Sequence, residues 1–141
     1  MRRVISKVSG IFIPVTDMRR SADWYISVFD LEVIDDGECC TGLAFPNEAT
    51  ILNLWKVDRA QPTHFEASDG MRIPYYNFES FDIGASHAAL QAKGIEVTAI
   101  QEDAEGVRYF DCIDPDGNAL GFIEELPHSP YYPHKQKYRR D

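Results

Sequence analysis

The side chains with chemical potential in this chain are four polar groups and four rings. Asn53, Asn77, Glu79 and Asp111 can accept or exchange hydrogen bonds, and Phe12, Trp55, Tyr75 and Tyr109 offer aromatic surface. Rings for contact area with a few polar groups for orientation are the composition of a small-molecule pocket. Carboxylates beside aromatic walls would also suit a cationic or amine-bearing planar ligand. Glu79 is a candidate general base on one condition: burial would have to raise its pKa. At a sheet edge it would be an ordinary exposed glutamate, or a partner for Arg72 or Arg108.

Other chemistries find little support. The four histidines, His64, His87, His128 and His134, form no His-x-x-x-His pair and fall on no expected cavity strand. The cysteines, Cys39, Cys40 and Cys112, give neither a Cys-x-x-Cys zinc motif nor an even-numbered disulfide framework. The adjacent pair Cys39-Cys40 has no basic neighbour in sequence to lower a thiol pKa. No Ser-His-Asp set, phosphate-cradling glycine loop or dinucleotide fingerprint is visible.

The elements that must position these residues are written twice. Ile11-Phe12-Ile13-Pro14-Val15-Thr16-Asp17-Met18 reads as an alternating strand, an N-capping Asp and a helix start. Tyr76-Asn77-Phe78-Glu79-Ser80-Phe81-Asp82-Ile83 repeats that design. Asp30-Leu31-Glu32-Val33 is echoed by Gly94-Ile95-Glu96-Val97, where the first residue should end each helix in a left-handed conformation. Met18, Ala22, Tyr25, Val28 and Phe29 form the apolar stripe of the first helix, and Ile83, His87 and Leu90 that of the second. Strands are expected at about 31–36, 42–46 and 50–57, and again at about 95–101, 107–113 and 118–125. Pro46-Asn47-Glu48 and Asp114-Pro115-Asp116-Gly117-Asn118 are turns.

The fold class is therefore α+β: two βαβββ halves, about 6–57 and 73–126, joined by a polar linker 58–72. They are expected to form one domain within 1–134, a curved mixed sheet around a central cavity. Residues 127–141 form a tail rich in Pro and aromatics, then basic, with Tyr131 and Tyr132 as expected anchors on a dimer partner or over a pocket mouth.

Strand alternation sorts the faces. Ile11, Ile13, Val15, Leu52, Leu54, Tyr76, Phe78, Phe110, Cys112, Leu120 and Phe122 should pack under the helices. Phe12, Asn53, Trp55, Tyr75, Asn77, Glu79, Tyr109 and Asp111 should face the cavity, because Asn77 and Glu79 would be costly beneath a helix. The alternative is that the rings simply fill a core.

Composition sets outer limits. The chain has 141 residues, 44% of them hydrophobic, and a net charge of −9. Residues 4–134 hold 8 Lys/Arg against 22 Asp/Glu, with basic residues such as Arg2, Lys135, Lys137 and Arg140 at the ends. An acidic body repels polyanions, so nucleic acid is not an expected partner. No apolar run reaches membrane-spanning length and no secretory leader is visible, so a cytoplasmic protein is expected.

Three segments carry a resemblance: Ile13-Pro14-Val15-Thr16-Asp17-Met18; Trp24-Tyr25 with Phe29-Asp30-Leu31-Glu32-Val33; and Asp114-Pro115-Asp116-Gly117-Asn118. In order and spacing they resemble the glyoxalase / bleomycin-resistance / extradiol dioxygenase group, the vicinal oxygen chelate superfamily, over about residues 6–126. The resemblance implies a homodimer. It also implies four metal-ligand points, which fall here on Gly10, Asn53, Tyr75 (or Tyr76) and Gly121. Two of these have no ligating side chain, so no metal and no other cofactor is expected. The expected function is binding of a small aromatic or amphipathic molecule, of the resistance or sequestration type. The alternatives are a lyase, isomerase or dioxygenase with an atypical metal site or a Glu79 base, and an interaction module with a closed pocket.

Overall fold

The structure, a computed structural model, describes residues 3–46 and 48–139. Arg2, Asn47, Arg140 and Asp141, to which the turn and the basic ends were assigned, lie outside them. The chain divides between Gln61 and Pro62 into two compact units.

The first unit runs β1 (Gly10–Val15), α1 (Met18–Phe29), β2 (Glu32–Asp36), β3 (Cys40–Ala44) and β4 (Ile51–Lys56). Its sheet has the order β1-β4-β3-β2. β1 and β4 are parallel, with Phe12 opposite Asn53 and Pro14 opposite Trp55. The Asp17 carboxylate accepts from Arg20 N at 3.0 Å and starts α1. Asp30 ends it in the left-handed region at φ 56°, a conformation that Asp tolerates better than most non-glycine residues. Ala22, Tyr25 and Val28 on the buried stripe of α1 join Ile13, Val15, Leu43, Leu52 and Leu54 in the core. The alternation expected for β1 and β4 is present.

The second unit opens with an antiparallel pair, β5 (His64–Glu66) and β6 (Arg72–Pro74). This pair corrects the reading of 58–72 as linker alone. The segment is polar, but its 67–70 turn, where Gly70 takes φ 89°, lets the chain fold back on itself. Then come β7 (Asn77–Glu79), α2 (Ile83–Ala92), β8 (Gln101–Glu102), β9 (Val107–Ile113) and β10 (Ala119–Glu125), in sheet order β7-β10-β9-β8. Asp82 caps α2 by accepting from Ala85 N at 3.0 Å. The strand expected at 95–101 is reduced to a single bridge, Val97 to Cys112, plus the two residues of β8. Two backbone bonds to β9 remain, Thr98 N to Asp111 O at 2.9 Å and Ile113 N to Glu96 O at 3.1 Å, while the Thr98 Oγ1 takes the Asp111 N–H at 2.8 Å. The core beneath α2 holds Ile83, Leu90, Phe110, Cys112 and Leu120. Phe110 stacks on Phe122, their planes 3° apart, and His87 meets Phe110 edge-on.

The tail forms a short helix, α3 (Tyr132–Gln136), and docks on the second unit. Of the expected tyrosine anchors Tyr132 is half-buried against the second unit, and two cations join it. Lys135 Nζ lies 3.0 Å from the nearly buried Glu125 carboxylate, and the Arg139 guanidinium sits 4.0 Å over the Phe81 ring. Tyr131 is exposed. The Pro-rich start directs the chain off the sheet, and the first well-placed charges then hold it. Among the described residues, no helix is long and apolar enough to cross a membrane.

Candidate functional site

Each sheet has one face covered by its helix and one face free of it. The helix-free face of the first unit is aromatic at β1 and β4 and carries Asp35, opposite Gly42, at its β2 edge. Phe12 is 59% exposed and Trp55 46%, and their rings meet edge-on with centroids 6.1 Å apart. Asn53 lies beside them, half-buried, with a glycine on either side. A Cβ at Gly10 would stand 3.0 Å from Asn53 Nδ2, and one at Gly42 would stand 3.5 Å from Oδ1. Gly10 thus gives the carboxamide its seat, whereas a Cβ at Gly42 would make only an ordinary contact with it. The Cys40 thiol reaches toward Asn53 Oδ1 at 4.0 Å.

The second unit presents a more polar surface. Asn77, Gly121 and Asp111 stand side by side on β7, β10 and β9. The Asn77 carboxamide lies over Gly121, where any Cβ would run into its Oδ1, and its Nδ2 donates to Pro74 O at 3.0 Å. Asp111 is half-buried. Burial raises its carboxyl pKa, and the positive charges of Arg72 and His64 pull it partly back. Tyr109 donates its phenol to Gln101 Oε1 at 3.0 Å. Tyr75 lies between β6 and β7 rather than in a strand, exposed, with its ring 5.3 Å from Phe65.

Glu79 is not buried. It is exposed at the end of β7, the edge strand, and lines a cavity of about 220 Å³ with Tyr132, Lys135 and Arg139 of the tail. Arg108 is paired with Glu102 at 3.6 Å instead. The carboxylate that burial perturbs is Asp111. Arg72 and His64, which act on it, were missed as site residues because they lie in the segment read as linker.

The residues at the metal points do not fit a transition metal. Gly10 and Gly121 supply no ligand and accommodate carboxamides, and the phenol of Tyr75 faces solvent. Among the described residues, no group of three or more His, Cys, Asp or Glu is placed to hold an ion.

Comparison with known proteins agrees with this architecture. Solved structures with the same fold include TnmS3, an antibiotic binding protein from Streptomyces sp. CB03234. It is 22% identical, with a TM-score of 0.69 over 89% of this chain and 100% of that one. A lactoylglutathione lyase from Agrobacterium tumefaciens is 16% identical, with a TM-score of 0.68 over 86% of this chain and 96% of that one. FosX, a fosfomycin resistance protein from Listeria monocytogenes, is 15% identical, with a TM-score of 0.68 over 88% and 97%. No curated protein sequence matches the chain. The family model described as Glyoxalase/Bleomycin resistance protein/Dioxygenase superfamily matches residues 7–122, and the chain belongs to that superfamily.

Proposed function

We propose that the protein binds a small aromatic or amphipathic molecule on its helix-free sheet faces, without a metal, in the manner of a resistance or sequestration protein. The observation that carries this reading is the pairing of exposed rings with seated amides. Phe12 and Trp55 stand beside Asn53, and Tyr75 and Phe65 belong to the unit that carries Asn77 and Asp111. Large rings held in solvent by glycine-flanked strands carry a hydration cost that a flat ligand would remove. The amides would orient it. The antibiotic-binding neighbour shares the fold and so is consistent with such a role.

The test is a titration with a panel of planar aromatic compounds, followed by isothermal titration calorimetry in the parent and in each variant. Binding to at least one compound is expected, with Trp55→Ala and Phe12→Ala each weakening it about tenfold. Stoichiometric metal in the purified protein, released by Asn53→Ala or Asn77→Ala, would overturn the metal-free part. A panel without any binder would overturn the whole.

A further inference from the structure

A second cavity lies on the other side of the first sheet, between α1 and β2. It has a volume of about 390 Å³, within the range of small-ligand sites. One wall is a stripe of α1, Met18, Ala22 and Ile26, spaced one turn apart. The opposite wall is Val33 of β2, and Thr41 of β3 closes the floor.

The edge strand is irregular where it borders this cavity. β2 pairs with β3 as Val33 to Leu43, but the register then slips, so that Asp36 rather than Asp35 stands opposite Thr41. Leu43 and Thr41 both point to the helix side, where they are fully buried. The bulge at Ile34 therefore turns Asp36 to the same face as Val33, over the cavity. Re-aiming one side chain is a recurrent use of a bulge. Without the slip, Asp35 would occupy that place.

We infer that this cavity is a binding site for an amphipathic organic cation, an apolar body carrying a protonated amine. The apolar stripe takes the body, and the Asp36 carboxylate takes the ammonium. The mouth is biased the same way, with Asp23, Asp36 and Glu38 against the single cation Arg19. The Asp36 and Glu38 carboxylates accept no hydrogen bond from another side chain among the described residues. The positive end of α1 does not oppose a cation, because the Asp17 carboxylate already caps it. The site is independent of the first unit's helix-free face, which lies across the sheet.

The probe is 1-naphthylmethylamine, with 1-naphthalenemethanol as its neutral counterpart, followed by methyl shifts of Ala22, Ile26 and Val33 in NMR titrations. The amine is expected to move these methyls and to bind at least fivefold more tightly than the alcohol. Asp36→Asn with Glu38→Gln should erase that preference while leaving the alcohol's weak binding unchanged. Val33→Trp, at an exposed strand position, should fill the cavity and abolish both. Trp55→Ala, across the sheet, should leave the amine's affinity at this site unchanged. Equal binding of amine and alcohol, shifts confined to residues near Phe12 and Trp55, or indifference to Val33→Trp would each overturn the inference.

Discussion

The two βαβββ units share a topology, a pair of Asp caps and a pattern of buried strand residues, yet their helix-free faces place rings, amides and carboxylates differently. The difference can be located in one row of each sheet. Across the edge, closing and middle strands, the first unit reads Phe12, Asn53, Gly42, and the second reads Asn77, Gly121, Asp111. In each sheet a glycine makes room for a carboxamide on the neighbouring strand, Gly10 for Asn53 and Gly121 for Asn77. The amide moves from the closing strand to the edge strand, a ring is lost, and the carboxylate moves from Asp35 on the outer strand to Asp111 on the middle one. One backbone plan thus supports an aromatic surface with its carboxylate at the rim in one copy and a more polar one in the other, because the core lies on the opposite face and does not constrain this one.

That separation predicts that the cores should behave alike where the faces do not. Leu52 and Leu120 are both fully buried, on the closing strands beneath their helices. L52A and L120A should each cost about 2–5 kcal/mol in urea unfolding, the range for a buried leucine cut to alanine. A value under about 1 kcal/mol at either site would break the equivalence of the two cores.

The turns before the closing strands should behave differently. In the second unit the buried Asp114 carboxylate accepts from Asp116 N, Asn118 N and Asn118 Nδ2 at 2.8–2.9 Å. In the first, Glu48 Oε1 accepts from Ala49 N and Thr50 N, but in the open. Asp114→Ala leaves buried donors unpaired and should cost about 2–3 kcal/mol. Glu48→Ala should cost under about 0.5 kcal/mol, as exposed substitutions do. Similar losses at both turns would mean that burial is not what distinguishes them.

The symmetric features were legible in the sequence and the asymmetric ones much less so. Asp17 and Asp82 announce helix starts because an N-cap is a local hydrogen bond, and Asp30 and Gly94 announce helix ends for an equally local reason. Alternation assigned Leu52, Leu54, Phe110 and Leu120 to their faces because strand geometry permits only two. What escaped depends on contacts distant in sequence or on a slip in register. The β5–β6 pair hides in polar residues. The bulge at Ile34 has no glycine or other local mark. The strand expected at 95–101 gives up part of its ladder to a threonine side chain, and the tail is held by Glu125 and Phe81 as well as by Tyr132. Glu79 was favoured over Asp111 as the perturbed carboxylate for the same reason, since alternation gives the face but not the depth.

Asp111 offers the finest probe of the contrast between the faces, because Gly42 holds its place in the first unit. Its carboxyl pKa is raised in the folded protein, mainly by burial, above the ordinary value of 3.8. The native state is then the better proton binder. Stability must fall as pH rises through the folded pKa, and the loss is recovered only as pH drops toward 3.8 and below. Asp111→Asn keeps the shape and removes the charge. It should therefore raise stability at pH 7 by about 1 kcal/mol or less, with Arg72 keeping the gain small because it loses an attraction. The gain should shrink to nothing as the pH is lowered to about 3, where the carboxyl of the parent protein is itself neutral. Paired urea unfolding curves of parent and variant at pH 7 and pH 3 make the comparison. A variant that is less stable at pH 7 would show that the attraction to Arg72 outweighs burial, and the polar face of the second unit would then hold an internal ion pair rather than an acceptor open to a ligand.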